Sequence, residues 1–478
     1  MDDTPDNHPD RTGGDGPTDD HALVLGAGLA GLLTARVLAR RFARVTVVEK
    51  DELPSDGPDF RPGVPQSRHA HLLWSKGVEV IERLLPGVTD ELKAGGAALL
   101  ESPRDFLWLS PADWFHAVPG APILVASREL LDWTVRRAVL REGAGRIRIT
   151  AGRTVTGLHP GPDGRSVAGV TLRDTTEPLT ARLVVDATGR TSKTPAWLAA
   201  LGHAAPRTTR YDSHLGYSSR YYAAPKDPAR RWHGMYVQGR PDSPRGGVLV
   251  ALDGDRWLVT LIGNGEHAPP TKADGFLEFT RGLRSPALHD AIRDAEPLSE
   301  PTGFRGTANE WRHYERLEDG PDGLLVVGDA ACRFNPVYGH GMTVAALGAD
   351  ALDRALTGLA LERVPAATRT LQRRTAEAAS VAWQIATSED LRYPGTEGPP
   401  PDRATRFLQG YMSRVMVGAN TDPAISAAFF GVLSLSAPPN TLLAPWTVLR
   451  VLSKWRLPTA PATAAYPPHH PPPPSGEG

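Results

Sequence analysis

Gly26, Gly28 and Gly31 stand in G-x-G-x-x-G spacing, and Glu49 follows Gly31 by 18 residues. Each position has a physical job. Gly26 permits a tight turn, Gly28 lets bare backbone approach a pyrophosphate, and Gly31 lets a helix pack close against a strand. An acid at the position of Glu49 can accept both hydroxyls of an adenosine ribose. The elements that must hold these residues lie on either side. His21–Leu25 is an apolar run that reads as a strand, Leu29 to Arg41 has helical apolar spacing, and Val45–Val48 reads as a second buried strand. The N-terminus of the intervening helix offers free N–H groups and a positive dipole end to phosphates. Strand, turn, helix, strand and acid together predict a dinucleotide site, which FAD and NAD would suit equally.

A second motif separates the two. Leu324–Val327 reads as a strand and is followed by Gly328, Asp329 and Ala330. Then come Asn335-Pro336-Val337-Tyr338-Gly339-His340-Gly341 and an Ala/Leu-rich helix starting near Met342. This resembles the second flavin fingerprint of the group A FAD monooxygenases, the para-hydroxybenzoate hydroxylase type. The resemblance implies that Asp329 contacts the ribityl chain and pyrophosphate of FAD. It places Pro336, Gly339 and Gly341 next to the flavin ring, with His340 and Met342 among the cofactor contacts. Exposed amides at a helix N-terminus would stabilise the negative charge of reduced flavin near N1 and O2.

Further segments agree. Ser127-Arg128-Glu129-Leu130-Leu131 opens an amphipathic helix, and the family keeps an arginine there for the pyrophosphate, so Arg128 joins the contacts, as do Lys50 and Arg61. Asp186-Ala187-Thr188-Gly189-Arg190 looks like the family's middle Asp-Gly region but departs from its Asp-Gly-x-x-Ser spelling, which puts direct NAD(P)H binding there in doubt. The stretch Arg61-Pro62-Gly63-Val64-Pro65-Gln66-Ser67-Arg68-His69-Ala70-His71-Leu72-Leu73 is the most distinctive. With the blocks Ser127 to Arg136 and Asn335 to Met342, it is similar to the polyene epoxidases of polyether-antibiotic biosynthesis, the lasalocid and monensin type. His69 and His71 have strand-like spacing, but no third ligand is in sight, so flavin-adjacent packing or hydrogen bonding is expected and no metal.

The rest of the chain sets bounds. Its 478 residues carry a formal net charge of -1, which argues against a nucleic-acid partner. The single cysteine, Cys332, excludes intrachain disulfides and paired-cysteine redox chemistry, and a cytoplasmic setting fits. Residues 1–20 read as a disordered acidic tail and 461–478, with His469 and His470, as a Pro-rich one. The fold class expected is α/β. A Rossmann-type FAD-binding domain (21–60, 125–200 and 300–385) is interleaved with a β-sheet substrate domain (61–124 and 205–300), and 386–460 form a helical C-terminal region. Val248–Leu252 and Trp257–Ile262, joined through Asp253-Gly254, read as a hairpin. Ile425–Leu435 is apolar enough for a membrane-surface patch but is read as a helix packed on the body. No apolar run is long enough to span a membrane.

The resemblance implies an FAD-dependent monooxygenase of bacterial secondary metabolism. Its flavin C4a-hydroperoxide, formed from O2, would epoxidise a carbon–carbon double bond of a lipophilic polyketide or terpenoid. Electrons would come from NAD(P)H, directly or through a flavin reductase. Epoxidation requires no general base, and the sequence offers no convincing one, whereas hydroxylation of a phenol usually uses one. Aromatic hydroxylation is the alternative, followed by alkene reduction of the geranylgeranyl reductase type. A halogenase is disfavoured because its Trp-x-Trp-x-Ile-Pro segment is absent. Phe106, Trp108, Trp114, Tyr217, Tyr221 and Tyr222 are the candidates for an apolar substrate pocket.

Overall fold

The computed structural model describes residues 20–115, 121–226, 232–455 and 466–467. The two expected tails, His469 and His470 included, lie outside the described residues apart from Asp20, Tyr466 and Pro467.

The run His21–Leu25 is buried at every residue, as a strand covered on both faces must be. It lies at the centre of a five-stranded parallel sheet. The order is Leu324–Val326, Leu183–Asp186, His21–Leu25, Arg44–Val48, Ile147–Thr150. Helix Leu29–Leu38 connects the first two strands in sequence and packs beside Gly341–Leu356 and Arg128–Glu142. These elements share one apolar core. Helix Leu29–Leu38 is shorter than the apolar spacing predicts, because Ala39 to Phe42 turn back on the carbonyls of its last turn.

A six-stranded sheet stands against this unit. Its order is Thr302–Phe304, Leu215–Ala223, Arg256–Asn264, Gly246–Leu252, Gly234–Val237, Phe106–Leu109. All its pairings are antiparallel except the last, between Gly234–Val237 and Phe106–Leu109. The hairpin expected at Asp253-Gly254 is present as Gly246–Leu252 paired with Arg256–Asn264. One face of this sheet packs on helices Ala273–Arg281 and Ala287–Ile292; the other faces the parallel unit. The chain then forms three helices, Arg403–Thr421, Pro423–Leu433 and Pro445–Ser453. Pro423–Leu433 is packed on the body: Ile425 and Phe430 are buried beside Tyr411, Val415 and Phe115. The fold is therefore α/β, with a Rossmann-type unit, a second large sheet and a helical C-terminal region.

Candidate active site

A cavity of about 540 Å³ runs between the two sheets, within the range of small-molecule sites. Its first half is built from the G-x-G-x-x-G turn. Gly26 (φ +98°) makes the turn that an L side chain resists, and a Cβ there would meet the Ala187 carbonyl oxygen at 2.7 Å. Gly28 and Leu29 open onto the cavity at the N-terminus of Leu29–Leu38. A Cβ at Gly28 would meet nothing within 4 Å, so this glycine leaves the space a phosphate needs. Gly31 does not line the cavity; it sits where the helix crosses the turn. Glu49 is buried at the same edge. It accepts the Ala27 N–H at 2.7 Å and the Asp51 N–H at 3.0 Å, which holds the turn while the residue still borders the cavity.

Positive charge is concentrated in this half. Arg61 lies 3.6 Å from Glu49 and 3.4 Å from Asp132, and Arg128 donates to Asp132 at 2.7 Å. Arg61 and Arg128 are both buried, and both line the cavity together with Lys50. Ser127 caps the Arg128–Glu142 helix by accepting the Leu130 N–H. Asp329 is exposed to the cavity, and desolvation by the protein around that cavity holds its carboxyl above the ordinary value, opposed by the charge of Arg128. Sequence reasoning did not identify Arg153, Lys193 or Trp197, which also border this half. No recognised motif contains them. Asp186 faces elsewhere. It is fully buried and accepts from Thr188, Ser192 and Thr194 at 2.5–2.8 Å, so it staples its own loop and is not free to take a nucleotide.

The turn at Pro336–Gly341 forms part of the cavity wall. Pro336, Gly339, Gly341 and Met342 line it, and Gly339 adopts φ +66°. The 16-residue helix Gly341–Leu356 presents its N-terminus to the same space. His340 corrects the expectation of a cofactor contact. It is buried behind the turn, donating Nε2–H to the Leu433 carbonyl at 2.9 Å, and burial lowers its pKa to about 4. Asp390 anchors the turn from the same side. Its carboxylate accepts from Tyr338 Oη (2.7 Å), Asn335 Nδ2 (3.1 Å) and Asn309 Nδ2 (2.6 Å). Burial pushes its pKa up to about 6, against these hydrogen bonds. Asp390 belongs to no recognised motif and lies 52 residues along the chain from Tyr338, so no spacing rule points to it. It also borders a second cavity of about 360 Å³ with Arg240, Arg392 and Tyr393. Tyr236, Ile262 and Val337 line both cavities and form the wall between them.

The far wall of the first cavity is one face of the six-stranded sheet. Sheet register explains which residues face it. Phe304, Tyr217 and Ile262 form one cross-strand row. Ser219, Thr260, Val248, Tyr236 and Trp108 form the next, two residues along each strand. Of the six aromatic candidates, Phe106 and Tyr217 line the cavity. The other four do not. Trp108 is on the correct face but lies beyond the cavity, packed on Phe115 and Phe430 with Nε1 donating to Gln238. Tyr221 lies at the strand end near Arg256. Tyr222 and Trp114 point into the core on the other side of the sheet.

His69 lies against this wall, between Tyr217 and Phe304 (ring centroids 6.0 and 5.2 Å). Its Nδ1 is 2.7 Å from Ser219 Oγ, which is 2.7 Å from Thr260 Oγ1, which accepts the Ala70 N–H. Nε2 is buried and has no hydrogen-bond partner. Burial and nearby Arg68 lower the imidazole to about 4, so it is neutral near pH 7.

Phosphate-accepting backbone at Gly28, buried Arg128 and a second helix N-terminus at Gly341 along one cleft fit an adenine dinucleotide carrying a flavin. Comparisons with known proteins agree. The chain is 31% identical over 439 residues to Protein Rv3254 of Mycobacterium tuberculosis (strain ATCC 25618 / H37Rv), covering 89% of this chain and 91% of that one. Its fold is similar to that of the flavin-dependent brominase Bmp2 (TM-score 0.61, 15% identity, covering 87% of this chain and 93% of that one). It is also similar to that of PqsL, a probable FAD-dependent monooxygenase from Pseudomonas aeruginosa (TM-score 0.57, 19% identity, covering 78% and 97%). A family model described as FAD binding domain matches residues 19–389. The chain belongs to that family, and FAD is its cofactor.

Proposed function

We propose that this protein is an FAD-dependent monooxygenase that epoxidises a carbon–carbon double bond of a lipophilic polyketide or terpenoid. The observation that carries the reading is the division of the cavity. The charged residues that line it, Glu49, Lys50, Asp51, Arg61, Arg128, Arg153, Lys193 and Asp329, belong to its cofactor half. The sheet side is lined by Phe106, Tyr217, Tyr236, Val248, Ile262 and Phe304, with no charged side chain among the described residues there. Such a wall binds an apolar molecule and excludes water from the reacting centre.

FAD supplies oxygen activation when bound: one atom of O2 goes to the substrate and the other to water, with two electrons from NAD(P)H, directly or through a reductase. The chain's own residues do the rest. Gly28, Arg128 and Asp329 hold the cofactor's phosphate and ribityl region. The Pro336–Gly341 turn sets the flavin edge, and the sheet face presses the substrate towards it.

Aromatic hydroxylation is the second reading, and His69 favours it. An imidazole with an unpartnered Nε2 in an aromatic-lined wall is the type of group that takes a phenolic proton. Held near 4, it is a weak acceptor for a proton from a phenol, whose pKa is ~10. We keep alkene epoxidation as the first reading, with His69 as a hydrogen-bonding group, because the sheet side of the cavity is lined by apolar and aromatic residues. Incubation with a polyene under labelled O2 tests the proposal. One heavy oxygen per oxidised double bond, none from labelled water, and a product that opens to a diol or ether in mild acid are expected. A saturated product, or oxidation of phenols but never of alkenes, overturns it.

A further inference from the structure

Ten large apolar side chains stand exposed among the described residues, and seven of them fall between Phe407 and Trp455. Exposed apolar residues scattered singly need no explanation, but a cluster marks an interaction surface. Helix Pro445–Ser453 shows how it is built. Thr447 and Val451 are fully buried and seat the helix on the body. Trp446, Leu449 and Leu452, at three-residue spacing, form the opposite stripe, and Leu449 is 68% exposed. Leu443 and Trp455 continue the stripe beyond either end of the helix. On Arg403–Thr421, Phe407 is 80% exposed, and Arg414 lies seven residues on, on the same helix face. The Arg414 guanidinium stands 5.0 Å over the Trp455 ring. That contact joins the two helices' apolar side chains into one surface.

We propose that this surface docks the protein on an anionic phospholipid bilayer, with Pro445–Ser453 lying in the interfacial plane. Charge selects the partner. Between Arg403 and Trp455 the chain carries Arg403, Arg406, Arg414, Arg450 and Lys454 against the single acid Asp422, while the whole chain is at -1. Pairing this face with a second copy would bring two positive patches together; an anionic headgroup layer complements it. Trp446 lies within the stripe and Trp455 at its C-terminal end, and tryptophan favours the water–lipid boundary. The described part of the C-terminal tail goes elsewhere: Tyr466 bonds Asp290 and packs on the core beneath the six-stranded sheet. No helix of the described residues is long and apolar enough to cross a membrane, so the contact is peripheral. Ile425–Leu435, read from the sequence as a helix packed on the body, does pack there, and the helices on either side of it carry the exposed face.

Co-sedimentation of the full-length, FAD-loaded protein with phosphatidylcholine vesicles, with and without phosphatidylglycerol, tests this. Binding should require phosphatidylglycerol and weaken as salt is raised. Trp446→Ser with Leu449→Ser should reduce it on the order of tenfold or more, and Lys454→Gln, which removes one positive charge, by about fivefold. FAD content reports that each variant is folded, and no oxidation activity enters the readout. The proposal is overturned if the protein stays in the supernatant with every vesicle, or if the serine variant binds as the wild type does. It is also overturned if light scattering shows a dimer that the serine variant dissociates while vesicles are ignored; the face would then belong to a second copy.

Discussion

A methyl group added at Gly28 meets no atom within 4 Å, whereas one added at Gly31 lands 1.9 Å from the Gly26 carbonyl oxygen. The two glycines are three residues apart in one motif, and their alanine variants should fail in opposite ways. Gly28 has φ -76° and ψ 175°, which alanine adopts freely. As an N-cap, alanine is worse than glycine by roughly 0.5 kcal/mol, and the stiffer unfolded chain returns about the same. Apo Gly28→Ala should therefore unfold at the wild-type temperature. Its FAD affinity should collapse, because the methyl occupies the space of the pyrophosphate. Losing two backbone–phosphate hydrogen bonds at about 1.5–3 kcal/mol each amounts to roughly 3–6 kcal/mol, a loss of about a hundredfold to ten-thousandfold. Gly31→Ala cannot be relieved by a rotamer, since the atom it strikes is backbone. The turn must move, at a cost of at least about 3 kcal/mol, a large share of a typical fold's stability. Thermal unfolding of the apo proteins and FAD titration by fluorescence quenching separate the two effects. The reasoning is refuted if Gly28→Ala binds FAD as tightly as wild type, or if Gly31→Ala unfolds with it.

Three further outcomes are expected. Asp329→Ala loses charge-assisted hydrogen bonds to the ribityl–pyrophosphate region worth about 1.5–3 kcal/mol, so FAD affinity measured by equilibrium dialysis should fall roughly tenfold or more; unchanged affinity counts against the assignment. Asp390, raised to about 6, binds its proton more tightly when folded than unfolded, so its contribution to stability is full below pH ~4 and is lost as pH rises through about 6, by about 3 kcal/mol. The stability difference between wild type and Asp390→Asn, from denaturant melts at pH 4 and pH 7, should change by about that amount, and a constant difference contradicts the reading. His69, lowered to about 4, stays neutral above pH 5; the kcat/KM profiles of wild type and His69→Gln should then have the same shape from pH 5 to 8, and a titration step near neutrality present in wild type alone refutes it.

The cofactor half of the cavity was legible in the sequence because local chemistry dictates it. Gly26 needs positive φ, Gly28 needs open space, and each lies within a few residues of the strand and helix that use it. The substrate half was not, because sheet register decides which aromatics face the cavity. Tyr221 and Tyr222 are neighbours in sequence, and alternation alone sends Tyr222 to the opposite side, into the core. No spacing rule shows that Tyr217 stands beside Phe304 and Ile262, since those pairings join strands distant in sequence. His340 was misplaced for a related reason. The motif fixes the backbone of the turn, but the Leu433 carbonyl, 93 residues away, determines where its imidazole goes.

That contact ties the C-terminal helices to the Asn335–Gly341 turn. The turn from Asn335 to Gly341 makes few hydrogen bonds of its own: Asn335 accepts the Val337 N–H, and Gly339 N–H reaches Pro336 O. Most of its anchoring comes from outside. Asp390 takes Tyr338 and Asn335, Trp74 Nε1 donates to the Tyr338 carbonyl at 3.2 Å, and Leu433 takes His340. A glycine-containing turn with so few internal bonds would sample many conformations if left to itself. Asp390 and Leu433 both lie near or beyond the end of the FAD-binding match at residue 389. Trp74 and Asn309, which also hold the turn, lie inside that match, so the turn is anchored from both sides of its end, and Leu433 belongs to the helix that stands between those carrying the exposed apolar face.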